Sequence, residues 1–227
     1  MGIYKYDAII IGAGIIGLAV ANELCGRYNS ILVIEKENTF GQHISSRNSE
    51  VIHSGIYYSP DSMKAQLCVK GNQLMYDFAK KYNINYKNCG KIIVATVPIE
   101  MEQLEILMKN GQKNNVKGLE LISASEVSKR EPIIKSAGGL SVPSAGIIDS
   151  HALMHKLAYK ITSNNSNIVY NTEVDNIINE NDGYRITFKN IDYAAKSHIV
   201  INSAGLWCDK ISKMVGVGDY RLHFCKG

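Results

Sequence analysis

The chain has 227 residues, 45% hydrophobic and 20% charged, an ordinary globular composition that excludes disordered and fibrous classes. Basic residues number 25 against 21 acidic ones, a net charge of +4. They are scattered without a long block of like charge, which argues against a nucleic-acid partner. Five cysteines, an odd count with no C-x-x-C spacing, argue against a disulfide framework or zinc site; no metal is expected, and a cytoplasmic location is the simplest.

In chain order, Tyr6–Ile11 reads as a buried strand, a helix runs from about 14 to 28, and Ser30–Ile34 is a second buried strand. The apolar run Ala8–Ala21 is too short to span a bilayer, and Asn22 and Glu23 follow where a signal peptide would need small residues. Residues 40–59 read as loop. Pro60 and Asp61 open a long amphipathic helix to about Tyr82, with Leu67, Leu74, Met75 and Phe78 on one face. A strand over 90–96 and a helix over 99–113 follow. Ser123 and Glu126 form a capping box for a short helix ended by Pro132. Asp149 or Ser150 caps a helix to about 162. The remainder turns to β structure: strands over 167–172, 174–179 and 184–188, with Asp182-Gly183 as a hairpin turn. A buried strand over 198–203 and a helix over 206–215 complete the chain.

Gly12-Ala13-Gly14-Ile15-Ile16-Gly17 fits G-x-G-x-x-G in its meaningful context, between a buried strand and a helix. Gly12 permits the tight turn, Gly14 lets backbone approach a pyrophosphate, and Gly17 lets the helix pack on the strand. The helix start offers free N–H groups and the positive dipole end. Glu35, at the end of the second strand, is placed to accept from ribose hydroxyls, and its charge repels the 2′-phosphate of NADP. The turn alone does not separate FAD from NAD. Two later features favour FAD: the polar stretch Ser45-Ser46-Arg47-Asn48-Ser49, and a return after a long excursion and a β meander to a strand ending Ser203-Ala204-Gly205.

At these residues the chain resembles the D-amino-acid-oxidase-like superfamily of flavoenzymes. Within it, Ser46-Arg47-Asn48-Ser49-Glu50-Val51-Ile52-His53-Ser54-Gly55-Ile56-Tyr57-Tyr58 is similar to the L-2-hydroxyglutarate dehydrogenase/oxidase group. Weaker matches follow in order at Lys64-Ala65, Leu67-Cys68, Cys89-Gly90-Lys91, Gly146-Ile147-Ile148-Asp149 and Phe224-Cys225-Lys226-Gly227. The resemblance implies an α/β fold. A Rossmann-like FAD-binding domain with a β meander would be built from 1–50 and 146–219, and an incomplete mixed-sheet substrate domain from 51–145 and 220–227. Relatives continue past the end of this chain, so a C-terminally truncated chain, with a separate C-terminal half as a partner, is expected.

The resemblance also implies roles. Gly12, Gly14 and Gly17 would hold the FAD pyrophosphate and Glu35 the adenosine ribose. Ser45, Ser46, Asn48 and Ser49 would lie along the pyrophosphate and ribityl chain. Val174 would pair its backbone with adenine, and Ala204 and Gly205 would admit the cofactor. His53 would sit near the isoalloxazine as the base, or serve as a structural loop histidine. Tyr57, Tyr58 and Lys226 would serve the substrate, or be packing and surface residues. Arg47, Lys64 and Lys226 are unranked cationic partners for a dianion. Trp207 is assigned to the core, and the other histidines have no role.

The reaction implied is oxidation of an L-2-hydroxy acid, L-2-hydroxyglutarate first, to the 2-oxo acid, with quinone or oxygen as electron acceptor. The alternatives are a glycerol-3-phosphate dehydrogenase or amine oxidase type, and a non-catalytic FAD-binding fragment. Peripheral membrane attachment is the alternative location.

Overall fold

The computed structural model describes residues 2–225. The chain divides into two compact units, residues 1–48 with 150–227, and residues 49–149.

The first unit contains β1 (Gly2–Lys5), β2 (Ala8–Ile11), α1 (Ile15–Leu24) and β3 (Ile31–Ile34) from the front of the chain. The return path, numbered on from the elements of the second unit, adds α5 (Ser150–Thr162), β10 (Asn167–Val169), β11 (Val174–Glu180), β12 (Gly183–Phe188), β13 (Ile191–Ser197), β14 (Ile199–Asn202) and α6 (Cys208–Met214). A parallel sheet runs in the order β10-β3-β2-β14. Its central strands, Ala-Ile-Ile-Ile and Ile-Leu-Val-Ile, are buried throughout, as a parallel sheet covered on both faces requires. Alternation sends Ile9, Ile11, Leu32 and Ile34 to one side, where Val174, Ile177, Ile186 and Phe188 of the meander complete a core. Helix α1 packs on β2, β3 and α5. The meander β11-β12-β13 is antiparallel and gains β1 as a parallel edge strand.

Two strands here were not expected. β1 is exposed along its length, so it carries no burial pattern to read. β13 is Ile-Asp-Tyr-Ala-Ala-Lys-Ser, and its consecutive buried Ala194 and Ala195 break the alternation that marks a half-buried strand. The expected first strand over 6–11 is shortened to β2, because Asp7 turns its carboxylate back to accept from the amides of Asn29 and Ser30, both at 2.9 Å. Helix α1 ends at Leu24, just ahead of Gly26, rather than at 28.

The second unit contains β4 (Val51–Ile52), α2 (Met63–Tyr82), β5 (Tyr86–Lys87), β6 (Lys91–Ala95), α3 (Met101–Lys113), β7 (Glu120–Ser123), α4 (Ala124–Arg130), β8 (Gly138–Val142) and β9 (Gly146–Ile148). The strands form two antiparallel sheets, β4-β9-β5 and β6-β8-β7. Ile56, Ala95, Leu104, Val116, Leu140 and Val142 form a core. Ser123 caps α4 as expected, accepting from the Glu126 amide at 3.2 Å.

Helix α2 corrects the sequence reading twice. Asp61 has a left-handed φ of 63°, so the helix opens at Met63 with Ser62 as its cap, the hydroxyl accepting from the Ala65 amide at 3.1 Å. The expected apolar face is only partly packed: Leu67 and Leu74 are exposed and Met75 and Phe78 half-buried, whereas Ala65 and Ala79 are buried. The buried positions of this helix are held by small residues, which a hydrophobicity pattern discounts. Among the described residues, no helix is long and apolar enough to cross a membrane.

Candidate functional site

In the first unit a cavity of about 430 Å³ opens at the C-terminal ends of the parallel strands. That is where α/β sheets bind ligands, because strands there hand over to helix N-termini. Gly12, Gly14, Glu35, Ser45, Val174, Ala204 and Gly205 all line it, so seven residues singled out as cofactor ligands stand around one space.

The turn is tightly built. Gly12 has φ 103°, and a Cβ on it would run into the Ser203 carbonyl. Gly17 does not line the cavity; a Cβ there would overlap the Gly12 carbonyl oxygen, so its hydrogen is what lets α1 dock on the turn. Ser45 closes the turn from outside, its hydroxyl accepting from the Ile15 amide at 2.9 Å.

Glu35 is buried, and both carboxylate oxygens are engaged. Oε2 accepts from the Ala13 amide at 2.8 Å and Oε1 from the Glu37 amide at 3.0 Å. Its backbone is fixed as well, donating to Val169 and accepting from Thr172. The carboxylate therefore shapes the glycine turn, and Glu35 also lines the cavity.

Sequence reasoning missed one wall. Trp207 belongs to the cavity lining rather than the core, with the Lys36 ammonium 3.2 Å from its ring centroid and the His43 ring edge-on at 4.6 Å. His43 Nε2 lies 2.8 Å from Glu37 Oε1, and this hydrogen bond holds the Glu37 carboxyl below the usual range. Lys36 and Glu37 directly follow Glu35, and Trp207 follows Ala204-Gly205 by two, so proximity to the motif was the signal available. Ser46 and Asn48 lie beside the cavity wall, hydrogen-bonded to His43 and Ser45 carbonyls at 3.0 and 2.8 Å, and do not line it. Ser49 falls in the second unit.

His53 follows β4 in the second unit, in a loop that side chains hold from two helices. Asn72 of α2 donates to the His53 carbonyl at 3.0 Å and to Ser144 at 2.8 Å. Asn110 of α3 donates to Ile56 and Tyr58, at 2.7 and 2.9 Å. Asn114 donates to Gly55 and Tyr58, at 3.0 and 2.8 Å. Gly55 has φ 90°, and a Cβ there would press on Val69. Around His53 stand two lysines: Lys64 over the Tyr58 ring at 4.6 Å and Lys91 over the Tyr57 ring at 4.4 Å. Burial, and then Lys91 and Lys64, lower the His53 pKa below 6.5. A ring kept neutral near pH 7 can accept a proton. Lys226 lies outside the described residues.

A family model described as FAD dependent oxidoreductase matches residues 7–227. The chain belongs to that family. Its relatives include L-2-hydroxyglutarate dehydrogenase of Escherichia coli K12, 38% identical over 93% of this chain and 50% of its own length. The mitochondrial L-2-hydroxyglutarate dehydrogenase of Pongo abelii is 37% identical over 96% of this chain and 57% of its own. Among solved structures, FAD-bound L-alpha-glycerophosphate oxidase of Mycoplasma pneumoniae superposes with a TM-score of 0.90 at 30% identity, covering 96% of this chain and 59% of that one. The chain thus spans about half the length of the curated relatives it matches. The expected α/β architecture and FAD as the family's cofactor both stand.

Proposed function

We propose that this chain is the FAD-holding part of an oxidoreductase that converts an L-2-hydroxy acid, L-2-hydroxyglutarate, to the 2-oxo acid. The observation that carries this reading is the cavity built on Gly12, Gly14, Glu35 and Ser45 in a chain whose named relatives are L-2-hydroxyglutarate dehydrogenases.

The donors present fit the cofactor. Apart from the Ile15 amide, which donates to Ser45, the first N–H groups of α1 have no intrahelical acceptor and suit a pyrophosphate. Glu35 offers acceptors to ribose hydroxyls, and the ends of β11 and β14 supply Val174, Ala204 and Gly205. FAD would supply a two-electron acceptor for the hydrogen that leaves substrate C2 with its bonding pair. His53 would take the hydroxyl proton as the carbonyl forms, and its depressed pKa keeps the ring free to do so. Tyr57, Tyr58 and Lys226 are assigned to the substrate, Ser46, Asn48 and Ser49 to the cofactor's flank, and quinone or oxygen to reoxidation.

A second reading follows from the glycerophosphate oxidase likeness: the same hydride chemistry on a phosphorylated alcohol. Flavin bleaching under anaerobic conditions separates the two. The reconstituted chain is expected to bleach with L-2-hydroxyglutarate and not with its D enantiomer, and His53→Asn to slow bleaching by about 10²–10⁴-fold. Bleaching by glycerol 3-phosphate alone would replace the first reading with the second.

A further inference from the structure

We infer that Lys91 and Lys64 form a carboxylate-recognition site beside His53, which fixes one carboxylate of a dicarboxylic substrate on the second unit. This rests on the proposed oxidation of an L-2-hydroxy acid and adds the residues that select its charge.

The two lysines reach the site from different elements. Lys91 opens β6, directly after Gly90, whose φ of 67° and amide N–H donated to the Ala145 carbonyl at 2.9 Å fix where the strand begins. Lys64 lies in the first turn of α2, one residue past the Ser62-capped start. Both bear electrostatically on His53 and on Cys68, and the Cys68 thiol donates to the His53 carbonyl at 3.6 Å. The two ammoniums thus stand against the two phenol rings of the His53 loop, and the imidazole senses the charge of both.

Charge makes this locus a site rather than a packing detail. Among the described residues neither Lys91 nor Lys64 forms an ion pair with a carboxylate, whereas seven other lysines and arginines do. The rings of Tyr57 and Tyr58 attract the ammoniums sideways but bring no opposite charge; Lys64 is exposed, whereas Lys91 is half-buried. Burial lowers the Lys91 pKa, the mark of a cation partly stripped of water with no anion to replace it. A bound carboxylate supplies the missing charge and accepts from both ammoniums. Held by its C1 carboxylate, a 2-hydroxy acid carries its hydroxyl on the carbon bonded to that carboxylate, so the group that must lose a proton stays on the side of the His53 loop. Lys91 was not among the cationic candidates drawn from sequence.

The test uses the 227-residue chain and glutarate, a dicarboxylate with no hydroxyl to oxidise, followed by calorimetry and by the His53 ring signals in NMR. Glutarate is expected to bind and to shift those signals. Lys91→Met and Lys64→Met should each weaken it by about tenfold or more, and Lys91→Arg should retain most of the affinity. Butyrate, with one carboxylate, should bind more weakly than glutarate. No glutarate binding, or equal affinity in Lys91→Met with its helical circular dichroism intact, overturns the inference. So does glycerol 3-phosphate displacing glutarate through the same lysines with higher affinity, which would make the site one for phosphate. Flavin bleaching by L-2-hydroxyglutarate tests the activity independently. Bleaching with lysine-independent glutarate binding sinks this site alone, and lysine-dependent binding without bleaching supports the site and sinks the activity.

Discussion

In the first unit the glycine turn beside the cavity is shaped by backbone: Gly12, Gly14 and a carboxylate, Glu35, whose bonds are to main-chain amides. In the second unit the His53 loop is shaped by side chains, with three asparagines from α2 and from α3 and its C-terminal cap holding five of its carbonyl contacts. The difference bears on tolerance. A backbone-built turn fails on addition of a single carbon, because nothing can rotate away. A loop clamped through several independent side-chain bonds loses them one at a time.

The largest expected effect is at Gly17. Its missing Cβ is the contact surface between α1 and the Gly12 carbonyl, so Gly17→Ala must push the helix off the turn. The expected cost is about 3 kcal/mol or more, from backbone overpacking at a site that cannot relax. Thermal unfolding and flavin retention should both fall. Wild-type flavin retention in this variant would mean that the helix and turn are less rigidly docked than the geometry shows.

Asn114→Ala is the matching change in the second unit. It removes two donors from carbonyls of the His53 loop, but also removes a buried Oδ1 that has no partner. The gain offsets part of the loss, leaving a net cost of about 1–2 kcal/mol by urea unfolding. FAD affinity should be unchanged. A loss of FAD affinity as large as that from Gly17→Ala would erase the distinction between the two units.

The smallest effect is the titration of His53. Its ring senses Lys91 of β6 and Lys64 of α2, and the Cys68 thiol of α2 donates to its backbone carbonyl. Because its folded pKa is lowered, the neutral ring's contribution to stability is present above 6.5. It is lost as pH falls from 6.5 towards the folded value, where the unfolded chain binds a proton that the folded chain does not. Lys91→Met should raise the His53 pKa part of the way back, since burial is the larger cause and remains. The NMR titration midpoint reads this directly. No upward movement would show that Lys91 does not sense the ring.

Some of this molecule is written in its sequence because local sterics leave no alternative. The glycine turn, the buried β-branched strands around it and Glu35 are neighbours along the chain, and their spacing is itself the geometry. The run from Ser46 to Tyr58 was similarly legible, through its resemblance to a known group. What the sequence did not disclose depends on partners distant in the chain. β1 is held by pairing with β13 from the other end of the chain, and neither carries the alternation that signals a strand. Helix α2 buries alanines and exposes leucines because its neighbours, not its hydrophobicity, choose the face. Trp207 became cavity wall, and Lys91 came to stand by His53, only once strands far apart in sequence were brought together. Hydrophobic pattern records what a residue avoids; which residue it meets is set by the fold as a whole.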